Sequence, residues 1–199
     1  MFRRSTLTPA RTVLIGLASF GLAVGALTGV ATSAQAADTP GRGTIMDEAS
    51  KLASSARAEA AKKRRDMAAR MAAEQSIRDQ VVARAMAQVG DDYASGAEGP
   101  DAFDCSGLVV YAWRSVGVEL EHYSYAQYKA TERIALKDAV PGDLAFYFEN
   151  GAHHVSIYIG DGKVVQASDY GIGVITGTVK GSAWTKEHFT GMGRVKIPS

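Results

Sequence analysis

One cysteine and a pair of adjacent histidines are the residues of this chain best suited to covalent chemistry. Cys105 is the only cysteine. It lies in the stretch Phe103-Asp104-Cys105-Ser106-Gly107-Leu108-Val109-Val110-Tyr111-Ala112-Trp113. The apolar residues Leu108, Val109, Ala112 and Val116 follow it at one helical stripe, and Gly117 suits the helix end. A thiol in the first turn of a helix sits beside unpaired backbone N–H groups and the positive end of the helix dipole. Both favour the thiolate, the nucleophilic form. The competing reading is a small buried cysteine with no chemical role.

A cysteine nucleophile needs a base, and the base needs an orienting partner. The histidines are His122, His153, His154 and His188. His153 and His154 open a strand pattern that runs into Gly160-Asp161-Gly162, a tight hairpin connection. Folding that hairpin about residue 160 or 161 sets Gln166 opposite, or almost opposite, His154. Facing strand residues have Cβ atoms about 4.5–5.5 Å apart, close enough for the Gln amide oxygen to accept one ring N–H. That contact fixes the tautomer and leaves the other nitrogen for the thiol, although a neutral Gln lacks the charge stabilisation of an Asp. Strand parity groups His154 with Ser156 and Tyr158, and His153 with Val155, Ile157 and Ile159. The small Ser156 leaves room for a helix on the His154 side and favours His154.

Other chemistries fit less well. A metal at His153-His154 needs further ligands at suitable spacing, and none is evident, so neither metal nor cofactor is expected. Gly171-Ile172-Gly173 lacks the strand–loop–helix setting of a phosphate cradle and reads as a turn. Tyr123, Tyr125, Tyr128 and Trp113 present either a carbohydrate-stacking surface or ordinary packing.

The start of the chain bears on compartment. Arg3, Arg4 and Arg11 precede an apolar run from Val13 to about Ala31, and Ala34-Gln35-Ala36 is a small-x-small site. This reads as a secretory signal peptide over residues 1–36, cut after Ala36, leaving no stable membrane span. An uncleaved anchor is the alternative. Arg3-Arg4 is similar to a twin-arginine pair, but Thr6 does not suit the position that follows, and the export route stays open. Of 22 Lys+Arg, the three in the leader leave 19 against 21 Asp+Glu, a formal charge of −2 that gives no sign of a nucleic-acid partner. A lone cysteine in an exported protein cannot form an internal disulfide, which strengthens the catalytic reading of Cys105.

Residues 37–75 read as a short Pro/Gly linker followed by an Ala/Lys/Arg-rich helix. Strong helix formers run from Thr44 to about Val89, with a possible break near Ser76. Arg57, Lys62, Lys63, Arg64, Arg65 and Arg70 make it basic. It is a tether to anionic cell-wall polymer, a lid that shields a groove until moved or cleaved, or a solvated helix. After the Cys105 helix, Tyr123–Ala130 begins a further short helix and Pro141-Gly142-Asp143 reads as a turn. Strands are expected over Leu144–Phe148, Val155–Ile159, Lys163–Ala167, Gly173–Val179 and Gly193–Ile197. Helices first and antiparallel strands after predict an α+β domain over residues 76–199.

These residues form a pattern. Tyr93, Phe103-Asp104-Cys105-Ser106-Gly107, Pro141-Gly142-Asp143-Leu144, His154-Val155-Ser156-Ile157-Tyr158-Ile159-Gly160-Asp161-Gly162 and Val165-Gln166-Ala167 together resemble the NlpC-type family of papain-like cell-wall cysteine peptidases. The resemblance begins at about Ser76. It implies a papain-like fold and a secreted hydrolase of peptidoglycan stem peptides, usually cutting between D-glutamate and a diamino acid through a thioester. It implies Cys105 as nucleophile, His154 as base, Gln166 as orienting residue, and Tyr93 with the Cys105 N–H at the oxyanion. Asp104 and Ser106 would line the substrate groove. The chain differs from many members in having Ser95 and Ala97 after the tyrosine, Glu121-His122 in place of Pro-Arg, and Gln166 in place of His. A catalytically weak wall-binding or scaffold protein, and an amidase or transpeptidase on the same fold, are the alternatives.

Overall fold

In a computed structural model, residues 42–198 are described; the signal peptide expected over residues 1–36 lies outside them. By internal contacts the chain divides into residues 1–48 and 49–199. Of the first unit, only the opening turns of a helix are described.

Helix α1 spans Arg42–Met86 without interruption, so the break expected near Ser76 is absent. Ser76 is a modest helix former, and one such residue among Ala, Glu, Gln and Arg does not stop a helix. From residue 44 its side chains are exposed as far as Ser76. Burial begins at Ile77 and Arg78 and continues through Val81 and Ala85, one stripe over the last turns. No described helix is long and apolar enough to cross a membrane.

Strands β1 (Asp92–Tyr93) and β2 (Ala102–Phe103) form a short parallel pair with Tyr93 beside Phe103. Helix α2 (Cys105–Arg114) starts two residues later, and helix α3 (Ser124–Ala130) follows. The remaining strands are β3 (Glu132–Ile134), β4 (Leu144–Tyr147), β5 (His154–Gly160), β6 (Lys163–Ala167), β7 (Val174–Thr178) and β8 (Phe189–Arg194), with helix α4 (Ala183–His188) before β8. They form one antiparallel sheet in the order β3-β8-β4-β5-β6-β7. This is the α+β domain that the order of patterns predicts. The last strand lies earlier than expected, because Phe189 and Met192, not Val195 and Ile197, occupy rungs beside β4.

The sheet has two apolar faces. Leu144, Phe146, Val155, Ile157, Val165 and Ala167 pack on Leu108, Val109, Ala112 and Trp113 of α2 and on Val81 and Ala85 of α1. Ala145, Tyr147, Tyr158, Val164, Val179 and Met192 make the opposite cluster. Asp143, fully buried, locks the end of α1 to the sheet. It accepts from Arg78 Nη1 at 3.0 Å, from Arg194 Nη2 at 2.8 Å and from the Val140 N–H at 2.8 Å. Removing Asp143 would leave the buried Arg78 charge without its carboxylate, a loss that typically costs about 3–5 kcal/mol.

Candidate active site

The site is assembled where the first turn of α2 meets the open end of β5. Asp104 is the N-cap of α2, and its Oδ1 accepts from the Gly107 N–H at 2.7 Å. This cap places Cys105 at the first helical position. A Cβ on Gly107 would lie 2.1 Å from the Ala97 carbonyl oxygen, so only glycine lets the preceding loop close on α2. The β1–β2 pairing brings Tyr93 to the same place, and its hydroxyl is influenced by Cys105.

Parity does not choose the histidine as expected. Helix α2 packs on the face of β5 that carries Val155 and Ile157, not the face with Ser156. Position favours His154: it is the first residue of β5, and the N–H of the next residue, Val155, acts to lower the Cys105 thiol pKa. His154 is buried, whereas His153 is exposed and packs edge-on against Phe148 at 5.4 Å.

The hairpin turns through Asp161-Gly162, both with positive φ (50° and 72°), the conformation of a two-residue type I′ connection. Ile157 pairs with Val165 and Tyr158 with Val164, and the register shifts between Tyr158 and Gly160. Continuing that register sets Ser156 against Gln166, so His154 meets Gln166 on the diagonal, within reach of a long side chain. His154 Nε2 donates to Gln166 Oε1 at 2.7 Å. The ring is thereby oriented with Nδ1 as the free nitrogen.

Electrostatics depart from the expectation drawn from the helix dipole. Burial pushes the Cys105 thiol above its ordinary value. The Val155 N–H opposes that rise and the Asp104 charge adds to it. Burial holds His154 below the ordinary imidazole value, partly offset by Gln166. Burial likewise pushes the Tyr93 hydroxyl up, with Cys105 and Asp104 adding to the effect. Burial thus favours the uncharged forms of the Cys105 thiol and the His154 imidazole, and it keeps Tyr93 as a hydrogen-bond donor.

A groove of about 570 Å³ opens over Tyr93, His154 and Gln166, and Cys105 is not among the residues that line it. Tyr93, His154 and Gln166 line it with Asp169, while Phe148, His153 and Trp184 form another part of its wall. Trp184 lies 6.0 Å from the His154 ring, 5.8 Å from Tyr147 and 5.4 Å from Phe148, and it stacks on His188. Phe148 has φ 64° and ψ 172°, a region nearly restricted to glycine. Its N–H donates to His188 O at 2.7 Å and its carbonyl accepts from Gly151 N at 3.0 Å and from Thr190 Oγ1. Sequence reading misses Phe148 and Trp184 as parts of the wall. The available signal is Ser182-x-x-Thr185, a reciprocal capping box that starts α4 and so presents Trp184.

Asp104 and Ser106 do not line this groove. Asp104 Oδ1 also accepts from Ser106 Oγ at 3.0 Å and His122 Nε2 at 2.8 Å, and Oδ2 accepts from the Gly96 N–H at 2.9 Å. Burial pushes the Asp104 carboxyl up. The Gly107 N–H, the His122 ring and the Gly96 N–H outweigh it and hold it below the ordinary carboxylate value. His122 Nδ1 contacts Glu98 Oε1 at 3.1 Å, and Glu98 takes Arg114 Nη2 at 2.9 Å. No α1 residue from 49 to 76 lines the groove. No group of three or more His, Cys, Asp or Glu suited to a metal occurs among the described residues.

The model of the NlpC/P60 family matches residues 90–194, more than half of the chain. The chain belongs to the NlpC/P60 family. It is 40% identical over 116 residues to the probable endopeptidase p60 of Listeria monocytogenes, a match spanning 58% of this chain and 23% of that protein. Among solved structures it is similar to the peptidoglycan hydrolase RipB of Mycobacterium tuberculosis, with 32% identity and a TM-score of 0.54 over 62% of this chain and 67% of that one. It is also similar to RipD of M. tuberculosis, described as a non-catalytic NlpC/p60 domain protein adapted to peptidoglycan binding. That match has 29% identity and a TM-score of 0.52 over 60% of this chain and 98% of that one. The chain spans about a quarter of the length of the curated relatives it matches.

Proposed function

We propose that this chain is a secreted peptidoglycan hydrolase that cuts stem peptides through a Cys105 thioester, at the bond from D-glutamate to the diamino acid. The observation that carries the reading is the His154–Gln166 hydrogen bond at 2.7 Å, which orients an unprotonated Nδ1 beside the strand end whose Val155 N–H meets the thiol. Cys105 Sγ attacks the amide carbonyl carbon as its proton passes to His154 Nδ1. The Cys105 N–H and the Tyr93 hydroxyl meet the oxyanion, for which the raised Tyr93 pKa is support. His154 then gives the proton to the leaving amine. A water attacks the thioester as His154 takes its proton, and the proton passes to the departing Cys105 sulfur, restoring the thiol.

Asp104 and Ser106 shape the edge of the site, through the cap of the nucleophile helix. The exposed basic side chains of α1, from Arg57 to Arg70, support contact with anionic wall polymer. The catalytic domain extends from about residue 76, where side chains of α1 begin to be buried.

The test is Cys105→Ala on purified peptidoglycan and defined muropeptides, with products weighed by mass spectrometry. Stem-peptide products from wild type and none from the variant are expected. Unchanged cleavage by the variant overturns the nucleophile. A second reading, a wall-binding scaffold, draws on the upward push of burial on the thiol and on the printed description of RipD. Wall binding retained in Cys105→Ala with no products from wild type would favour that reading. Products cut at the glycan junction, or joined rather than cut, would instead indicate an amidase or a transpeptidase.

A further inference from the structure

Of the four aromatic residues that the sequence offers as a stacking surface, the structure separates two from two. Trp113 is fully buried, and Tyr128 packs edge-on against Phe146 at 5.3 Å. Tyr123 and Tyr125 are 54% and 36% exposed, with ring centroids 6.0 Å apart and planes inclined at 58°. They form two walls of a depression of about 270 Å³, completed by Glu149, Asn150, Ala152 and His153. His153 also lines the catalytic groove, so the two concavities share a wall.

The chemistry of this depression is that of a saccharide site. Tyrosine faces suit the C–H face of a pyranose ring, and exposed carboxylate and amide groups suit its hydroxyl and acetamido groups. Among the described residues, neither the Glu149 carboxylate nor the Asn150 side-chain amide has a hydrogen-bond partner, so both are available to a ligand. Lys129 Nζ lies over one face of Tyr125 at 5.4 Å, which leaves Tyr123 the more open platform. The site is also held rigidly. Buried Gln127 of α3 donates to the Ser106 carbonyl at 3.0 Å and to the Glu121 carbonyl at 2.9 Å, fixing the helix that carries Tyr125 to the turn that carries Cys105. Asn150 is in the left-handed conformation (φ 56°, ψ 24°), within the turn that follows Phe148.

We infer that Tyr123 and Tyr125, with Glu149 and Asn150, form a subsite for a sugar ring of the glycan strand that bears the stem peptide. This rests on the proposed stem-peptide reading for the groove, and His153 marks the boundary between peptide and sugar. A substrate in which the peptide is still joined to its glycan therefore gains contacts that a released peptide lacks.

The experiment compares one stem peptide in two forms, free and carried on its disaccharide, using the full chain. Wild type is expected to favour the disaccharide form in kcat/KM by about tenfold, the effect of roughly one additional stacking and hydrogen-bonding contact. Tyr123→Ala and Tyr125→Ala are each expected to lower that ratio about threefold or more, chiefly through KM. Equal kcat/KM on the two forms in wild type, or equal losses on both forms in the tyrosine variants, overturns the inference. A binding arm reads the subsite without turnover: Cys105→Ala is titrated with the disaccharide alone, the Tyr123 and Tyr125 ring resonances being followed. Saturable shifts that disappear in Cys105→Ala/Tyr123→Ala support the subsite, even where wild type cuts neither substrate and the hydrolase reading has failed. No shift at those rings overturns it.

Discussion

Two imidazoles in this domain are oriented by hydrogen bonds to side chains, and they are built for opposite purposes. His122 has a carboxylate on each nitrogen, Glu98 at 3.1 Å and Asp104 at 2.8 Å. Both ring nitrogens are thereby committed to holding the loop against the cap of α2. His154 has one side-chain partner, the neutral amide of Gln166 on Nε2, and its Nδ1 is left without one. Orientation by a neutral group leaves a ring able to take up a proton, while two carboxylates turn a ring into a clamp. The chain places the clamp at the N-terminus of the Cys105 helix and the ring with the free nitrogen at the start of β5.

Substitutions can break that contrast or sharpen it. His154→Ala removes the base and is expected to lower kcat by about 10²- to 10⁴-fold with the fold intact, as read by steady-state cleavage and circular dichroism. His122→Ala should do the reverse, costing roughly 2 kcal/mol of stability in a urea titration, since it strips charge-assisted hydrogen bonds from Asp104 and Glu98. The acid behaviour of that variant carries a sign. The depressed Asp104 pKa contributes stability that is present above the unfolded carboxyl pKa and lost as pH falls through the folded value. Without His122 the folded value rises, so stability is lost at higher pH than in wild type.

A subtler change gives His154 a carboxylate partner. Because burial holds the His154 pKa down, the acid limb of kcat/KM in wild type lies below the ordinary imidazole value. Gln166→Glu favours the imidazolium and should move that limb upward by about one pH unit or more. A limb that does not move would mean that the limb does not report His154. The smallest effect concerns the thiol. Alkylation of Cys105, the only cysteine, should rise with pH about a midpoint above the ordinary thiol value, since burial outweighs the Val155 N–H. A midpoint below it would restore the dipole argument.

Local features of the site were legible in the sequence because local rules govern them. The helix opened by Cys105, the Asp161-Gly162 turn and the partnership of His154 with Gln166 follow from periodicity and turn chemistry. The diagonal geometry of that partnership was not legible, because a register shift one step before the turn decides it. Nor was the thiol's pKa direction: a first-turn position is visible in a sequence, but the depth of packing on the sheet is not. The His122 clamp depends on Glu98 and Asp104, 24 and 18 residues away, and neither residue signals the other. Trp184 went unread because a six-residue helix has too few turns to show a period.

Phe148 poses a different question, about what selection can preserve. Its backbone occupies a region that costs an L-residue about 1–3 kcal/mol, and its ring walls the groove. Phe148→Gly would release that cost while removing the ring from beside His153, Trp184 and His188. A thermostability screen blind to turnover would therefore enrich glycine at this position and discard the wall. An aromatic residue standing there against its own backbone preference marks a place where durability is exchanged for shape.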